Sequence, residues 1–115
     1  MPFAITAQEK SDWKEMENFH SLMSAIFHPS EEGNLKPLKA KYASLLLAAK
    51  TWKAAKVPAG FKPLETSETL IKLVKQCALV SASVKAKKDD ATLIAQIKEA
   101  HEIFHTVTEK CRVGE

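Results

Sequence analysis

Glycine is scarce in this chain, at three residues, and the five prolines fall between long segments rather than dividing them. Few turn sites follow, which suits a small number of long helices. No segment alternates apolar and polar residues with period two, so strands are not expected. No long apolar run is present, so nothing reaches the roughly 20 residues of a membrane-spanning helix. Two cysteines, Cys77 and Cys111, are too few for a disulfide framework and lack the spacing of a metal-binding pair. Arginine is nearly absent, with Arg112 alone beside sixteen lysines scattered among eleven glutamates. Nucleic-acid binders concentrate base on one face and use arginine for bidentate contacts. The net charge of +3 therefore reads as a solvated lysine surface, with no nucleic-acid partner. Met1 to Lys10 lacks the basic start and apolar stretch of a secretory signal, so none is expected; a mature exported chain reads the same way, which leaves localisation open.

What remains is ordinary for one globular domain: 115 residues, 45% hydrophobic and 27% charged. Thr6 with Glu9 reads as a capping box, starting a first helix near Ala7. Trp13, Met16, His20, Met23 and Phe27 then recur at alternating spacings of three and four, with Phe19 and Ile26 widening the stripe. Pro29 is expected to end this helix, because the residue before proline avoids the α conformation. Asn34 suits the N-cap of a second helix, with Pro37 in its first turn and a stripe of Leu38, Tyr42, Leu45, Ala49 and Trp52. Val57 to Pro63 reads as a loop across the end of the molecule. Thr66 or Ser67 is expected to cap a third helix with Leu70, Leu73, Cys77, Val80 and Val84 on one face. Asp89 and Asp90 mark the start of a fourth, carrying Leu93, Ile94, Ile97, Ala100, His101, Phe104, Val107, Thr108 and Cys111. Four segments of about 20 residues with short connections predict an all-α, antiparallel up-down-up-down four-helix bundle over residues 1–115.

All four histidines lie on the first and last helices, which are antiparallel neighbours in such a bundle. If their ends are flush, a rise of about 1.5 Å per residue brings His20 level with His101, and Met16 with His105. The same arithmetic separates Cys77 from Cys111 by far more than the roughly 7 Å a disulfide tolerates, so none is expected. His20 and His101 sit in apolar stripes, and a buried imidazole needs partners for its nitrogens. His105 follows His101 by one turn, on the same side, which is chelating spacing. His20, His101 and His105 are therefore candidate metal ligands, with Glu17, Glu102 and Met16 as additional ones. Zinc, copper and nickel all suit imidazole. His28, at the helix end beside Pro29, reads as a cap of the bundle or as a second exposed site with Glu31 or Glu32.

Named motifs cross this cluster. His101-Glu102-Ile103-Phe104-His105 fits H-E-x-x-H, the zinc protease signature. It lacks a Gly-x-x-His continuation and a strand on which to lay a peptide, so no catalysis is expected. Glu17 to His20 and Glu102 to His105 are both Glu-x-x-His, as in carboxylate-bridged di-iron bundles. The second helix has no acidic residue and the third has acids only at its start, so half of that ligand set is missing.

Helix 4 also resembles the cytochrome c-prime family, periplasmic four-helix haem proteins that end in Cys-x-x-Cys-His-x-x-Phe-Arg. Laid over that pattern, Ile97 to His105 places His101 on the axial histidine and Phe104 on the phenylalanine. Trp52 to Phe61, with Pro58 and Gly60, is similar to the family's loop after helix 2. Ile97 and Ala100 stand where the haem-linking cysteines would be, and His105 replaces the arginine, so covalent haem attachment is excluded. The resemblance still implies a periplasmic or exported bundle that could hold haem non-covalently. Its b-type relative does so between a methionine of helix 1 and a histidine of helix 4, here Met16 or Met23 with His101.

The sequence thus gives a small, non-catalytic bundle holding a divalent transition metal for sensing, carriage or storage. Non-covalent haem with electron transfer, and a ligand-free interaction domain, are the alternatives. The expected partner is a metal ion, without insertion into a membrane; a protein partner and a homodimer stay open.

Overall fold

The computed structural model describes residues 13–113. Helix α1 spans Lys14–Glu31, α2 Lys36–Ala54, α3 Pro63–Lys85 and α4 Asp90–Lys110. They form the expected four-helix bundle, 51 × 26 × 22 Å, in which each helix packs closely on the next in sequence. The seam between α1 and α4, which closes the bundle, is looser. Among the described residues no helix is long and apolar enough to cross a membrane.

The stripes form the core except at His20, which is exposed, and at positions such as Tyr42 and Val84, which are half-buried. Leu38, Leu45, Ala49 and Trp52 of α2 are fully buried, as are Leu73 of α3 and Leu93, Ile97 and Ala100 of α4. The N-cap position of α2 is Leu35, which has no side-chain cap; Asn34, expected there, lies one residue earlier and accepts from the Lys36 N–H at 3.1 Å. Asp89 caps α4 by accepting from the Thr92 N–H at 3.0 Å. That bond holds the Asp89 carboxyl below the usual carboxylate range.

Three boundaries differ from the sequence reading. Trp13 has an extended backbone and α1 begins at Lys14; Thr6, Glu9 and the start near Ala7 lie outside the described residues. Pro29 does not stop α1, which runs through it to Glu31. Pro29 forfeits the one bond its N–H would make to the Ala25 carbonyl, and the helix nonetheless runs on for two residues, with the Ser30 hydroxyl donating to the Ile26 carbonyl at 2.7 Å. The stop comes from Gly33 instead. At φ +85° it reverses the chain, while Gly33 N–H bonds Ser30 O and Asn34 N–H bonds Pro29 O. Helix α3 starts at Pro63, three residues ahead of the expected Thr66, because proline is well placed in a first turn. Thr66 is instead buried with its hydroxyl unpartnered among the described residues.

Helix α3 ends in the same kind of hydrogen-bonded reversal as α1, with Lys87 at φ +58° where glycine is usual. At the opposite end of the bundle, Phe61 of the α2–α3 loop pairs with Arg112 in an antiparallel bridge. Lys62 N–H donates to Cys111 O at 2.7 Å and Val113 N–H to Gly60 O at 2.9 Å. The Arg112 guanidinium lies over the Phe61 ring, 4.8 Å from its centroid. This clasp closes over a group of aromatic rings: Trp13 against Trp52 at 5.6 Å, Trp13 against Phe61 at 4.9 Å, and Trp52 against Phe19 and Phe104. Cys77 and Cys111 are both buried free thiols.

Candidate metal site

Rings stack across the loose seam between α1 and α4. His101 stacks face to face on Phe27, with centroids 3.9 Å apart and planes within 9°. His20 stacks on Phe104 at 5.2 Å. The expected levelling of His20 with His101 therefore does not hold. His101 stands beside Phe27 and His20 beside Phe104, a displacement of one to two turns. The ends of α1 and α4 are not flush, and the register follows the packing of the large rings. His20 is also exposed rather than buried. The buried arc of α1 centres on Phe19, Met23 and Ile26, leaving His20 on its rim.

His101 and His105 do converge. Their Nε2 atoms are 3.2 Å apart, across one turn of α4. Nδ1 of His105 lies 3.0 Å from Oε2 of Glu109, one further turn along. With Nδ1–H donating to that carboxylate, the His105 Nε2 keeps a lone pair and accepts from His101 Nε2–H. Burial and the neighbouring His105 hold the His101 imidazole below its usual pKa, against the opposing pull of Glu31 and Glu102. His101 is thus neutral at pH 7.

The other candidates divide around this pair. His105 shares a cleft of about 240 Å³ with Met16, Glu17, His20, Phe104, Thr108 and Arg112. Met16 and His105 both line it, although the shift in register removes the expected levelling of Met16 with His105 as well. Glu17 is half-buried at the cleft and Glu102 is exposed. Met16 is part of the packed core. On the opposite side, His28 Nδ1 lies 3.9 Å from Glu31 Oε1, both exposed, the pairing anticipated for a second surface site. That pair bears on His101 electrostatically, so it stands closer to the main histidine cluster than its position in the sequence suggested. Among the described residues no three His, Cys, Asp or Glu side chains are grouped to hold one ion. Burial pushes the thiol of Cys77 up to about 12, so it stays protonated at neutral pH.

Glu109 is the residue the sequence reading missed. Its signal was available, since His101, His105 and Glu109 recur every four residues on one face, but it lies beyond the H-E-x-x-H motif that drew attention. Compared with known protein families, with curated proteins and with solved structures, the chain finds no match in any of the three.

Proposed function

We propose that this chain is a small, non-catalytic bundle that binds a divalent transition metal through Nε2 of His101 and of His105, serving in sensing, carriage or storage. The observation that carries the reading is the 3.2 Å separation of two imidazole nitrogens, one of them aimed by Glu109. An ion about 2.05 Å from each nitrogen would subtend an angle of about 100°, close to the tetrahedral value. A carboxylate on the far nitrogen of a ligating histidine fixes its tautomer and raises its basicity, which is the part Glu109 would take. Binding requires only that neutral His101 carry its proton on Nδ1 instead of Nε2. The remaining positions would fall to water or to groups from the cleft, where His20 and Glu17 are nearest to hand, so the affinity expected is modest.

Titration of purified protein with zinc, copper and nickel, followed by calorimetry and elemental analysis, tests this. One equivalent should bind. His101→Ala or His105→Ala should each weaken binding at least tenfold, Glu109→Gln by about tenfold, and His28→Ala by little. No binding by the unmodified protein, or equal loss from His28→Ala and His101→Ala, would overturn it. A Soret band in the same preparation would replace it with non-covalent haem.

A further inference from the structure

Helix α3 carries apolar side chains on two faces. One face buries Leu70, Leu73, Cys77 and Val80 in the core. The other presents Leu64, Ile71 and Leu79 to solvent, at 67%, 41% and 47% exposure. A bundle helix should turn polar residues outward. Here Leu64, Glu68, Ile71, Lys75, Ala78 and Ala82 instead follow one another at spacings of four and three, all exposed, with Leu79 beside them. That is the spacing of a helix-packing stripe, and nothing among the described residues covers it.

The charges in the stripe say what does. Glu68 and Lys75 flank Ile71 on either side. Two copies of α3 laid antiparallel about an axis beside Ile71 bring Leu64 against the partner's Leu79, and Glu68 against the partner's Lys75. The symmetry repeats each contact, as a twofold interface must. A parallel arrangement would set Glu68 on Glu68 and Lys75 on Lys75, which repels. Lys72, at the edge, can lay its methylene stem over the partner's Ile71 with its ammonium in water.

We infer that the exposed face of α3 is a self-complementary dimer interface whose occupant is a second copy of this chain, antiparallel to the first. From Leu64 to Leu79 the contact runs about 22 Å. Crossing helices over that length hide on the order of 1,000 Å², the lower limit for a specific interface, so the dimer is reversible and in the micromolar range. The surface lies away from the histidine pair and does not depend on metal.

Sedimentation equilibrium from about ten to several hundred micromolar, with and without chelator, reads it directly. The weight-average mass should climb from 12.7 kDa towards twice that value. Glu68→Lys alone, or Lys75→Glu alone, places like charges across the axis and should weaken association at least tenfold. The double variant Glu68→Lys with Lys75→Glu restores the pairing and should restore association. All these positions are exposed, so folding, followed by circular dichroism at low concentration, should be unchanged. A wild-type mass fixed at 12.7 kDa throughout the range, or a double variant no better than the singles, would overturn the interface.

Discussion

The two seams that α4 makes, one with α3 and one with α1, are built from different side chains and end with different capacities. Between α3 and α4, which bury aliphatic groups such as Leu73 and Val80 on the one and Leu93 and Ile97 on the other, the side-chain amide Nε2 of Gln76 donates across to the Gln96 carbonyl at 3.0 Å. Towards α1, flat rings meet flat rings, as in Phe27 with His101 and Phe104 with His20. Aliphatic chains interlock and leave no polar atoms at the surface. Rings stacked at a looser seam keep their nitrogens at its rim, where water or an ion can reach them. The tight seam holds the fold, and the loose one carries the side chains of the proposed site.

The largest expected effect tests the aromatic side of that contrast. Trp52→Ala empties a fully buried site bounded by Trp13, Phe19 and Phe104 and should cost about 3–5 kcal/mol in urea unfolding. Trp52→Phe should cost much less, because the indole N–H has no partner among the described residues and its loss removes an unmet donor. On the aliphatic side, Gln76→Ala removes the reach to Gln96 and should cost about 1 kcal/mol; no change would show that the seam is held by packing alone. The pH dependence separates the seams further. His101 binds its proton more weakly folded than unfolded. Its share of stability is therefore complete above the ordinary imidazole pKa of about 6.5 and is lost as pH falls from there towards the lower native value. His101→Gln should flatten that part of the stability profile, measured by denaturant unfolding between pH 5 and 8. The smallest effect lies outside both seams, where Lys87→Gly relieves a left-handed conformation and should stabilise by about 0.5–1 kcal/mol.

Helix identity was legible because burial repeats every three or four residues, and α2 and α4 match their stripes closely. Asp89 was legible as a cap because a side-chain oxygen beside a helix start has one obvious donor to meet, whereas Asn34 falls one residue short and Leu35 takes the N-cap position. Pro29 misled because a proline forfeits one bond of the ladder without by itself ending the helix, and Gly33 was the true stop. For the site, the His101–His105 pair could be read from spacing on one helix. His20 could not, because its position depends on the register between α1 and α4. That register is set by how Phe27 and Phe104 seat across the seam, and a count of residues from flush helix ends does not capture it.

The clasp between the α2–α3 loop and Arg112 has a mechanical consequence. Two backbone hydrogen bonds and one guanidinium hold a lid of loop and tail over the Trp13, Trp52 and Phe61 rings. Pulling on the tail peels these bonds one at a time rather than shearing them together. That end of the molecule should therefore yield first under load, and a chain cut after Lys110 would present its largest rings to water.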